Sequence, residues 1–298
     1  GVATLHCLPK TAWASDFASL LAAPKHALVH SVYRRTINLA CKAEILSLQT
    51  QNSTLSPISL ITELSETAMD QLCAAAGDRV MLSPSEIQIF TASGRKAVFQ
   101  ISSARCRLRD LSFTALPQNF DLAHLLRMLH QVLLAADASG FAELFAKTPS
   151  ASMPAYLTAA KQTLHTCTDA LNAQDWETAA DTLCSLIGLG IGLTPSGDDF
   201  LCGVLAGASL LQARSLQLYA LLRERIALHL CDTNDISAAF LRCALADQVS
   251  LPVQKLLTAS DADEIASAFR QIGHSSGMDT LCGIYYICTH LQDMAKFL

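Results

Sequence analysis

Gly188-Leu-Gly-Ile-Gly-Leu-Thr-Pro-Ser-Gly-Asp-Asp-Phe-Leu-Cys-Gly203 sets three alternating glycines, a Thr-Pro-Ser and two adjacent aspartates ahead of an apolar run. Eighty positions later the chain repeats itself: Ser196-Gly-Asp-Asp-Phe-Leu-Cys-Gly-Val returns as Ser276-Gly-Met-Asp-Thr-Leu-Cys-Gly-Ile. In each copy a serine stands where an N-cap belongs, an aspartate three residues on can complete a capping box, and an apolar helix follows. The repeat therefore predicts two buried helices in one helical region, with Gly203, Gly207 and Gly283 letting a neighbour approach closely.

The surrounding sequence agrees. After Pro117, apolar residues recur at three- and four-residue spacing over 122–136, 141–147, 155–171 and 176–186. The pattern resumes beyond the glycine loop over 200–211, 216–230, 236–246, 253–258, 262–271 and 280–291. From His26 to Leu116 the character differs: segments 27–33, 36–41, 44–48, 87–90 and 97–101 are short, rich in β-branched residues and partly alternating, which predicts strands. Ser93-Gly-Arg95 reads as a hairpin turn, and 60–76 as a helix or as an extended segment ending in a short one. Strands followed by helices, rather than alternating with them, predict an α+β fold with a β-rich domain over 1–118 and a helical domain over 119–298.

Composition narrows the class. With 298 residues, 51% of them hydrophobic and 16% charged, the chain can bury thick apolar layers. A net charge of -5 and no Lys/Arg cluster longer than Arg34-Arg35 argue against a nucleic-acid partner. The eleven cysteines are odd in number, contain no Cys-x-x-Cys and sit mostly in apolar runs, so a reduced, cytoplasmic protein is expected. No stretch reaches the roughly 18 to 20 apolar residues that cross a bilayer, and residues 1–10 do not read as a signal peptide.

Gly188, Gly190 and Gly192 match neither the Gly-x-Gly-x-x-Gly of dinucleotide folds nor a P-loop. Capping alone accounts for Ser196, Asp199, Ser276 and Asp279. It does not account for the glycines, for Thr194, for Asp198 (whose counterpart is Met278), or for His274 and Ser275 ahead of the second copy. Two helix N-termini, each with roughly half a positive charge, make a ready anion site if they face one another. Gly190, Gly192, Thr194, Ser196, Gly197, Ser275, Ser276 and Gly277 are then the candidate anion-binding residues, and Asp198 and His274 the candidates for proton transfer. Asp199 and Asp279 brace the loops. In the β-rich region Arg34, Arg35 and Asn38 are further candidates, although adjacent arginines on a strand point to opposite faces and can equally be solvated edge charges. His124, His130, His229 and His290 fall in helical patterns and read as surface or core residues. No zinc-site spacing occurs.

These stretches resemble a bacterial family described as a domain of unknown function, the AllH family. The matching residues are Arg34-Arg-Thr-Ile-Asn-Leu39, Gly190-Ile-Gly-Leu-Thr-Pro-Ser-Gly-Asp-Asp199 with Leu201 and Gly203, Ile236-Ser237 with Phe240-Leu241 and Ala244, and Gly273-His-Ser-Ser-Gly-Met-Asp-Thr-Leu281 with Gly283. The resemblance implies a subunit of a carbamoyltransferase acting on carbamoyl phosphate and an oxamate-like acid in purine or allantoin nitrogen catabolism. It also implies partner subunits, one of them resembling acyl-CoA ligases of the succinyl-CoA synthetase type. Two rival expectations stand beside it. One is a Mg-dependent hydrolase, with Thr194, Asp198, Asp199 and Asp279 gathering oxygen ligands; the other is a non-catalytic subunit that binds an anion or a partner.

Overall fold

The computed structural model describes residues 2–9, 23–101, 107–137, 139–146, 152–213 and 216–295. The chain divides into two compact units, Gly1–Ser112 and Phe113–Leu298. It is an α+β protein.

In the first unit the strands are β1 (Val2–Pro9), β2 (Lys25–Tyr33), β3 (Thr36–Cys41), β4 (Glu44–Gln49), β5 (Ser59–Thr62), β6 (Arg79–Leu82), β7 (Glu86–Phe90), β8 (Lys96–Gln100) and β9 (Arg107–Arg109). They form one strongly curved sheet ordered β5-β4-β3-β2-β6-β7-β8-β1-β9, a half-barrel over residues 25–100 in which β1 also pairs with β5. β3 and β4 are buried almost throughout, whereas β7 and β8 alternate buried with more open positions. The continuous apolar runs thus lie where both faces are covered, and the alternating ones where only one is. The ambiguous 60–76 segment resolves into β5 and a one-turn helix, α1 (Glu66–Asp70), capped by Ser65. The predicted turn at Ser93-Gly-Arg95 closes β7 on β8 through Thr91 N–H to Arg95 O at 2.9 Å.

Arg34 and Arg35 are not on a strand. They form the two-residue turn between β2 and β3, where Tyr33 pairs with Thr36, and both guanidinium groups lie 2.7 Å from the carboxylate of Glu66. The arginines hold the Glu66 carboxyl below its ordinary range, Arg35 foremost. Asn38 is buried in β3, donating to Ser31 Oγ at 3.1 Å and accepting from Ser47 Oγ at 2.5 Å.

The second unit is helical: α2 (Leu122–Ala135), a 3-10 segment (Gly140–Phe145), α3 (Ala155–Asn172), α4 (Trp176–Cys184), α5 (Ser196–Leu210), α6 (Gln217–Leu228), α7 (Asp235–Leu245), α8 (Leu251–Gln254), α9 (Ala262–Arg270) and α10 (Ser276–Ala295). Asp121, Asp175, Asn234 and Asp261 cap their helices through side-chain oxygens. The cap of α7 is therefore Asn234, with Asp235 already in the first turn. No helix among the described residues is long and apolar enough to cross a membrane.

The two repeated stretches become α5 and α10, and these pack together in parallel. α5 is buried around nearly its whole circumference, as expected for a helix apolar on all sides. A Cβ placed on Gly203 would stand 2.0 Å from Thr280 O, and one on Gly283 would stand 2.0 Å from Phe200 O. A turn further on, a Cβ on Gly207 would meet the Ile287 side chain at 2.3 Å, and Cys288 Sγ lies 3.6 Å from Gly207 O. The Gly203 and Gly283 contacts exchange into one another when the copies are exchanged, so the sequence repeat is also a spatial one.

Backbone carbonyls cannot retreat without moving a helix. Gly203→Ala and Gly283→Ala are therefore each expected to cost about 3 kcal/mol, the upper part of the usual overpacking range. One widening of the helix pair relieves both clashes, so the double variant should cost clearly less than the sum. Urea denaturation of the three variants checks this; strict additivity would contradict the shared contact.

Candidate functional site

The parallel packing brings both Ser-Gly-x-Asp starts to one end of the helix pair. The start of α5 is not a capping box. Pro195 occupies the N-cap position of α5 with no side-chain hydrogen bond, and Ser196 is the first residue of the helix. The early N–H groups are met by loop carbonyls: Gly197 N–H donates to Leu189 O at 2.8 Å, and Gly277 N–H to Ile272 O at 3.0 Å. Each serine turns to the other copy. Ser196 hydrogen-bonds the carboxyl of Asp279, and Ser276 that of Asp199. Thr194 Oγ1 lies 2.7 Å from Ser276 Oγ.

Three carboxyl groups at this end are buried. Asp199 is 8% exposed, Asp279 not at all and Glu143 7%, and each has one oxygen without a hydrogen-bond partner: Asp199 Oδ2, Asp279 Oδ2 and Glu143 Oε1. Burial pushes the Asp199 carboxyl well above its ordinary range, and the charge of Asp279 adds to the effect. Burial likewise raises Asp279 to about 6, against the hydrogen bonds from Phe141 N–H, Ser196 and Ser275 that favour its charged form. Phe141, in the 3-10 segment, donates to Asp279 Oδ1 at 2.7 Å. Tyr156 hydrogen-bonds Ser196, and its hydroxyl is held above its usual range by burial first and then by the charge of Asp279.

Asp198 stands apart from this cluster. It is buried, its Oδ1 accepts Gly188 N–H at 2.9 Å, and its Oδ2 accepts Thr233 Oγ1 and Ser237 Oγ at 2.5 Å each. With three donors both carboxylate oxygens are engaged, tying the glycine loop to the start of α7. His274 is exposed in the turn before α10. The glycines have largely steric reasons: a Cβ on Gly197 would meet Leu186 O at 1.9 Å, on Gly277 Phe269 O at 2.1 Å and on Gly190 Ser196 N at 2.5 Å. Gly192 has open space around it and lies with the exposed Ile191 and Leu193 at the loop tip. Asn234 Nδ2 anchors the loop's far side to Leu193 O at 2.7 Å.

Thr194, Ser196, Ser275, Ser276, Asp199 and Asp279 thus come together, with Asp198 behind them and His274 nearby in sequence. Arg34, Arg35 and Asn38 have their partners within the sheet unit. Tyr156, Glu143 and the Phe141 N–H belong to the cluster without any motif that announces them. Among the described residues no three His, Cys, Asp or Glu side chains stand close enough to hold a metal. Among the described cysteines, Cys41, Cys167, Cys184, Cys243, Cys282 and Cys288 are buried.

Fold and site together define a class: an α+β protein in which a half-barrel precedes a helical unit built on twin Ser-Gly-x-Asp helix starts. A family model described as oxamate carbamoyltransferase subunit AllH matches residues 186–288, and a model of the AllH family N-terminal domain matches residues 9–106. The chain belongs to the AllH family. The first match contains both helix starts and the second contains the arginine turn, while Phe141 and Tyr156 lie between the matched ranges. No solved structure matches the chain.

The raised pKa of Asp279 carries a consequence for stability. A carboxyl moved from 3.8 to about 6 on folding contributes stability that is complete below pH 3.8 and is lost as pH rises through about 6. A shift of that size corresponds to roughly 3 kcal/mol. Asp279→Asn removes the titration, so its stability relative to the parent chain should rise between pH 4 and pH 7. Urea unfolding at the two pH values measures it, and an unchanged difference would refute the assignment.

Proposed function

We propose that this chain is a subunit of a carbamoyltransferase-like enzyme and that the twin helix starts hold its small anionic substrate, carbamoyl phosphate or an oxamate-like acid. One observation carries the reading: two parallel helices begin side by side around hydroxyls and buried carboxyls that retain unpartnered oxygens. Both helix dipoles present their positive ends there, which favours an anion. The buried acids would oppose an anion only when ionised, and burial favours their protonated forms. Thr194, Ser275 and Ser276 line the place with hydroxyls that turn from their present partners to phosphate, carboxylate or carbonyl oxygens when an anion enters. Ser196, bonded to both Tyr156 and Asp279, positions the inner wall. Donors held in place before the reaction suit a carbonyl that must be polarised and a phosphate that must leave.

Within this reading the roles expected of the aspartates are exchanged. Asp199 and Asp279 are the groups able to hold or release a proton beside the substrate, and Asp198 is a brace. His274 sits at the rim as a second proton carrier. Purine or allantoin nitrogen catabolism and a multi-subunit assembly belong to the same proposal, supported by the family. The chain co-expressed with its partner subunits is expected to consume carbamoyl phosphate in an oxamate-dependent way. Asp199→Ala with Asp279→Ala should lower that turnover by at least about a hundredfold, in the range for removing general acid–base groups. Undiminished turnover in the folded double variant would overturn the assignment.

The same charges set a pH dependence. Binding an anion beside Asp199 and Asp279 is favoured when they are protonated, so affinity for oxamate, whose own charge is constant across the range, should fall as pH rises from 6 to 8. Calorimetric titration at both pH values tests it, with proton uptake expected on binding. A second reading, a binding subunit with no turnover of its own, is favoured by the engagement of both Asp198 oxygens. In that case the double variant loses affinity for the anion while the complex's maximal rate is preserved.

A further inference from the structure

The two helix starts are built alike but completed differently. Asp279 receives a backbone donor, Phe141 N–H at 2.7 Å, in addition to its serine hydroxyls. Gly140 walls it in, since a Cβ there would lie 2.5 Å from Oδ1 and 3.0 Å from Oδ2. Asp199, at the corresponding place in the other copy, meets the hydroxyls of Ser276 and Thr194, and no backbone N–H reaches it among the described residues. Those two hydroxyls also bond each other, at 2.7 Å. Two hydroxyls have two protons, and one is used between them. Asp199 is left with a single donor and an unpartnered Oδ2 while being 8% exposed. Even as the neutral acid a carboxyl keeps acceptor capacity on both oxygens, so an Oδ2 with no partner is a shortfall for a buried group.

The two halves also differ in access. The inner half, Ser196, Phe141 and Asp279, is buried. The outer half is bordered by the partly exposed Thr194, Ser275 and Ser276 and by the exposed Ile191, Gly192, Leu193, Gly273 and His274. Asp199 therefore lies on the side of the cluster nearer the exposed loop residues, and its own Oδ2 is buried, so a ligand reaches it by displacing the Thr194 and Ser276 side chains that border it.

We propose that the ligand supplies this missing donor: Asp199 Oδ2 accepts an N–H from the –CO–NH₂ end of the bound compound, as Asp279 Oδ1 accepts Phe141 N–H. Asp199 is then the residue that distinguishes a carbamoyl or amide group from an acetyl group of the same shape. The inference rests on the substrate site proposed above and adds to it the end of the substrate that the outer half reads. A methyl group in that place would leave the carboxyl unpaired and carry no donor, and a site built to pair a polar group rejects the analogue lacking it.

Two isosteric pairs test it, each differing only by –NH₂ against –CH₃: oxamate with pyruvate, and carbamoyl phosphate with acetyl phosphate. Calorimetry is carried out on the full chain, alone and with its partner subunits. In at least one pair the amide member should bind at least about tenfold more tightly, and the pair that shows it identifies which compound occupies the outer half. Asp199→Ala, shown to be folded by its circular dichroism and melting curve, should bring that ratio close to one by weakening the amide member alone. Equal affinity within both pairs in the parent chain overturns the proposal and leaves the anion site standing, as does a ratio retained in the folded variant. If no member of either pair binds in any preparation, the substrate site itself is refuted and this inference falls with it. Should the variant not fold, the ratios in the parent chain decide.

Discussion

The closest approach in the helical unit is between backbones, not side chains. Gly203 lies against Thr280 O and Gly283 against Phe200 O, so close that a Cβ at either glycine would stand 2.0 Å from the facing carbonyl oxygen. This proximity decides what the serines at the helix starts do. At an ordinary interaxial distance each would cap its own helix. Here each reaches the aspartate of the other, and the four side chains form a crossed pair that neither helix can make alone. The loop carbonyls of Leu189 and Ile272 accept the N–H groups of Gly197 and Gly277, and Pro195 O those of Asp198 and Asp199.

The arrangement is electrostatically costly and partly compensated. Desolvating Asp199 and Asp279 favours the neutral acids, while two helix dipoles and several hydroxyls favour the anions. Neither influence wins outright at Asp279, whose pKa comes to about 6, whereas at Asp199 burial dominates. Two neighbouring carboxyls with unlike environments are a common basis for dividing acid and base roles between chemically identical groups. Asp198, adjacent in sequence, shows the contrasting outcome: with three donors it is an anchor, and the glycine loop is fixed through it to Thr233 and Ser237.

The half-barrel followed by helices was legible from the change in periodicity near Pro117, and most helices lie within a few residues of their apolar patterns. The exact repeat of Ser-Gly-x-Asp was the strongest signal, because it required two equivalent helices. It could not distinguish a serine capping its own helix from one bonding its neighbour, since both need the same residue types at the same spacing. The roles of Asp198 and Asp199 were unreadable for a related reason: partners at Thr233 and Ser237 are set by tertiary packing, not local pattern. Phe141 contributes a backbone N–H, which no side chain advertises, and Tyr156 lies in an ordinary amphipathic helix. Arg34-Arg35 read as strand because no glycine, asparagine or proline marks the turn that they form between Tyr33 and Thr36.

The cross-bonding also has a temporal side. Thr194 meets Ser276 across 82 positions, and Phe141 meets Asp279 across 138. Contacts so distant along the chain form only after long segments have been ordered, so the cluster belongs to the final stages of folding. The paired helix starts are therefore complete only in a chain that has folded to its last helix.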